Sequence, residues 1–326
     1  MQEAEAILEP DLPMCDPHHH LWDHPTSRYM IEELNADASS GHRIESTVFV
    51  ECASFYRADG PQAFAPVGET EAVNGVAAMS ASGRYGEMRA CAGIVGFADL
   101  SLGAGVEPVL QAHLRAGGDR FRGVRHSGAW DASDQVRNAH TNPPKGLYGS
   151  AAFREGYARL AENGLSFEAW QFHPQLPEVT DLARAFPETL LVLDHVGGPL
   201  GIGPYEGRRA EVFDVWKADL AELAKSPNVV VKLGGLGMAI CGFGFHKRET
   251  PASSAELAQA WRPYVETCID LFGVERCMFE SNFPVDRVSC DYRTLWNALK
   301  RLASGASGDE KALLFQDVAR RVYLLA

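Results

Sequence analysis

Short apolar runs alternate with longer amphipathic runs along this chain. Runs with the period or the continuous apolarity of β-strands occur at residues 12–20, 45–53, 88–97, 120–126, 165–173, 189–197, 228–235 and 276–283. Helix-like runs, apolar on one face, follow most of them, at residues 67–83, 105–118, 150–164, 176–187, 209–227, 253–273, 292–305 and 308–325. The alternation predicts eight strand–helix repeats.

Glycine and proline mark several helix ends, as in "LAENG" and "ELAKSP". Most strand-like runs are almost continuously apolar, which is typical of a parallel sheet covered by helices. We therefore predict an α/β fold, a (β/α)8 TIM barrel in which residues 1–326 form a single domain. The alternative, a doubly wound open sheet, would need a glycine-rich phosphate loop after an early strand, and the sequence has no G-x-G-x-x-G there.

Composition and charge narrow the class of protein. The chain has 326 residues, of which 46% are hydrophobic and 22% charged, and its net charge is −13. Without a cluster of Lys and Arg, nucleic acid is not an expected partner. No apolar stretch is long enough for a membrane helix, and the acidic N-terminal stretch lacks the features of a signal peptide, so we expect no membrane partner and a cytoplasmic location. The seven scattered cysteines predict buried thiols rather than disulfides.

The stretch "CDPHHHLWDH", residues 15–24, carries the first candidate chemistry. Residues two apart on a strand share a face, so Asp16, His18 and His20 are predicted to point one way and His19 the other. Two imidazoles at the end of a barrel strand can bind one metal ion. A solvated histidine-rich loop is the competing interpretation of this stretch taken by itself.

Polar residues also end the other predicted strands. The C-terminal ends of barrel strands converge on one cavity, so these residues are candidates for a single site. Two long loops, residues 127–149 and 235–253, follow strands and are predicted to lie over the same face. The candidate side chains are Glu51, Tyr56, Arg125, His126, Trp170, His173, Gln175, His195, Lys232 and Asn282.

Four motifs resemble, in the same order, those of the amidohydrolase superfamily: "DPHHHLWD", "FRGVRH", "VLDHVGGP" and "MFESNFPVD". Within it they resemble the amidohydrolase-related branch that contains sugar-lactone and muconolactone-type lactonases, over essentially the whole chain. The resemblance implies a hydrolase with one divalent metal, zinc in the first place, on His18, His20 and His173. The branch also includes members that open lactones without a tightly bound metal, so a metal-free site is the other expectation.

One position departs from the family pattern. The strand-eight motif G-S-D-W-P reads E-S-N-F-P here, with Asn282 where the family has an Asp that binds metal or takes a proton from water. Asparagine has no ionisable group and cannot be a general base. Glu280, two residues earlier on the same strand face, and Asp286, four residues later, are the candidate replacements.

Our leading hypothesis is hydrolysis of a lactone or related cyclic ester of an anionic small molecule. His18 and His20, with or without zinc, would polarise the carbonyl and stabilise the oxyanion. His195 or His173 would take the proton from water, since an unperturbed imidazole titrates near neutral pH, and Asn282 would orient the water or bind the oxyanion. Arg125 would bind a substrate carboxylate. The predicted pocket residues are Glu51, Tyr56, His126, Trp170 and Gln175.

Two other functions stay open. A non-oxidative decarboxylase of an aromatic or muconate-like acid would use the same His-x-His frame, although the resemblance ties that reaction to metal and the strand-eight Asp that Asn282 replaces. A barrel that binds a small ligand without turnover would explain Asn282 but not the retained histidines. Lys232, within an apolar strand, is predicted to form a structural ion pair with Glu51 or Glu280 rather than a Schiff base. A homodimer is expected only by analogy with other barrels of this size.

Overall fold

A computed structural model describes residues 5–325, and its centre is a barrel of parallel strands. In the sheet each strand pairs with the next one in the chain. The backbone N–H of His20 donates to the carbonyl of Phe283 (2.8 Å), and that of Asn282 donates to the carbonyl of His18 (2.9 Å), which brings the first and last strands together. The predicted (β/α)8 TIM barrel of one domain is confirmed. The strands are β1 Pro13–His19, β2 Arg43–Val50, β3 Arg89–Gly96, β4 Phe121–Arg125, β5 Ser166–Ala169, β6 Leu191–Leu193, β7 Val229–Leu233 and β8 Cys277–Phe279.

Helices surround the barrel, and the principal ones are α1 Ile31–Ala38, α2 Val67–Ala81, α3 Glu107–Gly117, α4 Ala151–Glu162, α5 Leu176–Ala185, α6 Arg209–Leu223, α7 Ser254–Phe272 and α8 Tyr292–Leu302. The prediction of one uninterrupted helix over 308–325 is wrong: a π-helical segment at Leu313–Asp317 separates two short α-helical pieces, and the last ends at Val322. The sequence pattern also missed α1 and a hairpin at residues 22–29 that precedes it, because both are too short to show a period. Among residues 5–325, no helix combines the length and the apolarity that a membrane crossing needs.

The barrel interior has an apolar layer and a polar layer. Val192, Val230 and Met278 pack in one buried cluster with residues of the last helical stretch, which closes that end of the barrel. Side chains two residues apart on a strand face the same way, so the next inward positions after these three are Asp194, Lys232 and Glu280. The polar layer therefore lies at the C-terminal ends of the strands.

Candidate active site

His18 is the centre of the polar layer and is completely buried. Its Nδ1 lies 2.9 Å from a carboxylate oxygen of Glu280 and 3.1 Å from the ammonium of Lys232. Its Nε2 lies 3.3 Å from Nη1 of Arg125. A guanidinium and an ammonium can only donate, so both nitrogens of His18 face donors, and Glu280 Oε2 is an ion-pair neighbour of Nδ1. Burial and the charge of Lys232 lower the pKa of His18, which keeps the ring neutral.

His20 lies beside His18, with ring centroids 5.0 Å apart, whereas His19 points away and its Nε2 is 2.8 Å from the hydroxyl of Thr47. Nδ1 of His20 is 2.8 Å from the carbonyl of Val50, an acceptor, so this nitrogen must carry the proton. Burial holds the pKa of His20 well below its usual range. The neutral ring therefore presents a lone pair at Nε2, and without a bound cation it has no N–H there to polarise a carbonyl.

Asp16 does not join His18 and His20 in the cavity. The strand pairing of β1 is irregular between Asp16 and His19. The Asp16 carboxylate accepts from the hydroxyls of Ser281 (2.6 Å) and Tyr292 (3.0 Å). Burial raises the pKa of Asp16 to about 6. The residue braces β1 against the segment that follows β8.

Arg125 is held by Glu51 at the end of β2. Its Nε donates to the Glu51 carboxylate (2.8 Å) and its Nη2 donates to the Glu51 carbonyl. Only Nη1 has long contacts, 3.3 Å to His18 and 3.5 Å to Asp194. Burial alone would raise the pKa of Glu51, but Arg125 and His140 lower it to about 2. The guanidinium edge predicted to take a substrate carboxylate is thus largely occupied by Glu51, which leaves Nη1 as the freest donor.

His140 was not anticipated from the sequence. It belongs to the long loop 127–149, its side chain is 34% exposed, and its Nε2 reaches to 3.2 Å from the carboxylate of Glu51. This contact brings the loop to the site, as the prediction for 127–149 required. A histidine in a long loop gives no sequence signal of the direction in which it points.

Lys232 forms the predicted ion pair, but with other partners. Its ammonium contacts the carboxylate of Glu168 on β5 and lies 3.4 Å from that of Asp194; Glu51 and Glu280 are not its ion-pair partners. Burial raises the pKa of Glu168 to about 8. Asp194 is also buried, yet Lys232 and His18 hold its pKa well below the usual range. Asp194 is therefore the main counter-charge of Lys232 at neutral pH.

His195 follows β6 in a strained turn. Its φ is 54° and that of Val196 is 48°, in the left-handed region that a β-branched residue rarely adopts. Trp216 holds the turn by donating to the carbonyl of Val196 (2.7 Å). The imidazole lies with its centroid 4.5 Å from that of His18 and 4.8 Å from that of Trp170, while its Nδ1 is 2.7 Å from Glu280. His195 is thus a second imidazole beside His18 and Glu280.

His173 and His126 lie apart from this cluster. Nδ1 of His173 accepts from the backbone N–H of Leu200 (3.3 Å), and its ring packs on Tyr205. Nδ1 of His126 accepts from the backbone N–H of Leu100 (3.2 Å). Burial lowers the pKa of both imidazoles to about 4. The structure therefore does not bring His173 together with His18 and His20, and the predicted three-histidine metal set is not assembled.

Gln175 also braces backbone rather than facing a ligand. Its Oε1 accepts from the N–H groups of Trp130 and Phe172 (3.2 Å each), and its Nε2 donates to the carbonyl of Gly128. Tyr56 is half-buried near the end of β2, and burial raises the pKa of its hydroxyl. Unlike the side-chain amide of Gln175, the hydroxyl of Tyr56 takes no part in such a network of hydrogen bonds to the backbone in the described part of the chain.

Asn282 is bound to Asp286. Its side-chain N–H donates to one Asp286 oxygen (2.8 Å), and the backbone N–H of Gly237 donates to the other (2.8 Å). Burial raises the pKa of Asp286 to about 7. Both residues are buried, and the carboxylate that contacts His18 and His195 is that of Glu280.

Two groups of side chains have the donor types that could hold a metal ion: His18, His195 and Glu280, and His18, Glu168 and Asp194. The ammonium of Lys232 contacts all three members of the second group and occupies its centre. In the first group, zinc bound at about 2.0–2.1 Å from Nδ1 of His18 would lie close to that ammonium. Nε2–H of His18 would then face Arg125. With these two cations in place, His18 does not fit a metal ion.

The sequence match extends over the entire barrel: residues 15–325 fit the model of the amidohydrolase family. The chain belongs to the amidohydrolase family. A relative named uncharacterized protein y4mH, from Sinorhizobium fredii, is 31% identical over 96% of this chain and 99% of its own length. An L-fucono-1,5-lactonase of Burkholderia multivorans is 28% identical over 72% of each chain.

Solved structures of amidohydrolases share the fold. A Burkholderia multivorans amidohydrolase crystallised with bound zinc superposes with a TM-score of 0.72 at 23% identity, over 96% of this chain and 99% of that one. A probable 2-pyrone-4,6-dicarboxylic acid hydrolase from Acinetobacter baumannii superposes with a TM-score of 0.63 at 11% identity, over 96% and 99%. A 5-carboxyvanillate decarboxylase from Sphingomonas paucimobilis superposes with a TM-score of 0.54 at 12% identity, over 97% and 100%. Barrels of this shape thus serve both hydrolases and decarboxylases.

Proposed function

We propose that this amidohydrolase hydrolyses a lactone, or a related cyclic ester, of a small anionic molecule. The proposal rests on one observation: His195 and Arg125 both contact His18, at the C-terminal ends of the strands. Ester hydrolysis needs a base for the attacking water and a positive charge for the oxyanion. The relatives named L-fucono-1,5-lactonase support a lactone as the class of ester.

His195 is the base in this proposal. It lies in the cavity beside His18, whereas the other candidate, His173, has its Nδ1 occupied by Leu200 and lies apart. Water held near His195 would attack the lactone carbonyl and transfer a proton to the imidazole. The protonated imidazole would then return that proton to the ring oxygen as the C–O bond breaks.

Arg125 supplies the positive charge. Its Nη1 has only long contacts within the protein, so a carbonyl oxygen can take a hydrogen bond from it as negative charge develops. The neutral rings of His18 and His20 present lone pairs rather than free N–H groups, so they do not serve as oxyanion donors here. Trp170, partly exposed and packed on His195, would form an apolar wall for the substrate.

No step of this mechanism uses a metal ion, because Lys232 and Arg125 already face both nitrogens of His18. The two cations neutralise carboxylates that a divalent ion would otherwise bind. An activated ester such as a lactone can be opened by a base and a fixed positive charge.

The test is a panel of five- and six-membered sugar lactones and pyrone carboxylates, incubated with purified protein and followed by proton release. We expect turnover of at least one lactone, abolished in His195→Gln and retained in His173→Gln. The panel should include aromatic and muconate-like acids assayed for carbon dioxide. Release of carbon dioxide without lactone turnover would establish the decarboxylase instead, and binding without any turnover would contradict an enzymatic role.

A further inference from the structure

We infer that Glu280 is a positioning residue that holds the proton of His195 on Nδ1, so that His195 presents its Nε2 lone pair to the substrate. The catalytic consequence of this inference rests on the proposed function, in which Nε2 of His195 is the atom that takes the proton from water. The family pattern has its functional strand-eight carboxylate at the position of Asn282. In this barrel we assign the functional carboxylate to Glu280.

Glu280 contacts both imidazoles at once. One carboxylate oxygen lies 2.7 Å from Nδ1 of His195 and also accepts its backbone N–H at 3.2 Å. The other oxygen lies 2.9 Å from Nδ1 of His18. The carboxylate is completely buried, and no solvent competes for either oxygen.

These contacts determine where the imidazole protons lie. Burial raises the pKa of Glu280, but the two histidines outweigh burial and lower it to about 2, so the group is ionised. An ionised carboxylate only accepts hydrogen bonds. The Glu280 oxygen that faces Nδ1 of His195 therefore accepts from it, so the one-proton form of this imidazole has its proton on Nδ1 and its lone pair on Nε2. A carboxylate bonded to one ring nitrogen controls the tautomer at the other.

Two glycines make room for this arrangement. A Cβ at Gly234, just beyond β7, would lie 2.6 Å from the carbonyl oxygen of Glu280 and closer still to its Cγ. A Cβ at Gly235, where φ is +67°, would lie 2.5 Å from the Cβ and the ring atoms of His195. Any larger residue at either position would displace Glu280 or His195. The positions of Glu280 and His195 therefore depend on glycine at both 234 and 235.

Position 282 has a different role. The side-chain N–H of Asn282 is donated to Asp286, which also accepts from Gly237. A carboxylate at 282 would set two acidic groups in contact beside Glu280. The longer side chain of Glu280, starting two residues earlier, instead reaches both imidazoles from within the barrel.

The test reads the tautomers directly, by two-dimensional 15N–1H NMR of protein labelled at histidine side chains. Comparison with the spectrum of His195→Asn assigns the His195 signals. We expect the wild-type spectrum to show a protonated Nδ1 and an unprotonated Nε2 for His195. A proton on Nε2 in the wild type would overturn the inference, whatever any variant does.

Glu280→Gln tests the role of the carboxylate. A glutamine has one accepting and one donating end, so it no longer fixes an acceptor at Nδ1 of His195. We expect His195 to populate the Nε2–H tautomer and kcat to fall by about 10²–10⁴-fold, with KM changed by less than about threefold. Unchanged tautomers together with unchanged kcat would overturn the inference.

Glu69→Gln is the matched control. Glu69 is also completely buried, and it accepts from the backbone N–H groups of Cys52 and Ser54. Burial and the charge of Glu51 raise its pKa to about 8, so this substitution removes no charge at pH 7. We expect wild-type tautomers in this variant. If the tautomers behave as stated and no lactone is turned over, the positioning role stands and the proposed function fails.

Discussion

At the scale of single residues, His195 has an unfavourable backbone that the fold maintains. A non-glycine residue in the left-handed region costs about 1–2 kcal/mol, and His195 and Val196 are both there. The hydrogen bond from Trp216 to Val196 and the contact of Glu280 with His195 hold the turn in place. Strain of this kind is kept where a side chain must point in one direction.

The two histidine candidates can be separated by substitution. We expect His195→Gln to lower kcat by about 10²–10⁴-fold because it removes the general base. His173→Gln should leave kcat within about threefold, since His173 contacts Leu200 and Tyr205 rather than His18. Steady-state kinetics on the best lactone measures both. The opposite order of the two effects would assign the base to His173.

The ammonium of Lys232 lies among side chains that could otherwise bind a metal ion, so its removal should create a metal site. In Lys232→Met, Glu168 and Asp194 lose their counter-charge, and we expect a loss of about 3–5 kcal/mol in the free energy of unfolding. Zinc should then raise the Tm of the variant more than that of the wild type. Lys300→Met is the control. Lys300 is also buried, but its ammonium donates to the carbonyls of Leu8 and Glu9 and contacts no carboxylate of the polar layer. Equal stabilisation of all three proteins by zinc would contradict this prediction.

Some residue positions were predictable from strand periodicity, and others were not. The alternation on β1 correctly separates His18 and His20 from His19. On β4 the structure turns Arg125 inward and His126 outward, so His126 does not lie with Arg125 as the prediction of both as pocket residues required. His173 was placed too near the centre, because β5 ends at Ala169 and the chain has left the barrel interior by residue 173.

At the scale of elements, the strands were predictable because each is a compact apolar run between helices. The pairing of charges across the barrel was not predictable from the sequence. Glu168 on β5 and Lys232 on β7 are separated by β6, and no local pattern connects them. Asp194 was visible in the "VLDHVGGP" motif, but its role as a counter-charge depends on the closed barrel.

The turn after β7 provides the test at this scale. Gly234→Ala would place a methyl group against Glu280, and we expect a loss of about 1–3 kcal/mol in unfolding free energy together with reduced activity. Gly149→Ala is the matched control, since a Cβ there meets no atom within 4 Å. Its stability should stay within about 0.5 kcal/mol of the wild type. Urea denaturation compares the three proteins, and equal midpoints would show that the turn can accommodate the methyl group.

At the scale of the whole molecule, buried carboxyl groups should determine the dependence of stability on pH. Burial raises the pKa of Asp16 to about 6, of Asp286 to about 7 and of Glu69 to about 8, so the folded protein retains protons that the unfolded chain releases near pH 4. These three carboxyl groups therefore lower the stability as pH rises from about 4 to 8. Glu51, lowered to about 2, has the opposite effect and loses its contribution as pH falls below about 4.5.

Buried imidazoles such as those of His20, His126 and His173, whose pKa values are lowered, have the opposite effect to the three raised carboxyl groups below about pH 6.5, because the unfolded chain binds protons there that the folded protein does not. We accordingly expect the highest Tm at about pH 6.5, with a decline towards pH 9. The net charge of −13 adds self-repulsion in the same direction. Calorimetry between pH 4 and 9 measures the profile. In Glu69→Gln the decline around pH 8 should be shallower, because one buried proton is no longer lost there. A profile that rises from about pH 6.5 to pH 8 would contradict this assignment of the buried groups.

Tyr323 closes the polar layer from the other end of the sequence. It is completely buried, its hydroxyl donates to Glu168, and the ammonium of Lys232 lies 5.5 Å from its ring centroid. During synthesis, the strands that carry Glu168 and Lys232 emerge from the ribosome well before residue 323. Until the tunnel releases that residue, the nascent barrel lacks the last helix that closes it and one hydrogen-bond partner of its central charge pair. The barrel therefore cannot complete its folding until residue 323 has emerged, and before that point it is a natural client for chaperones.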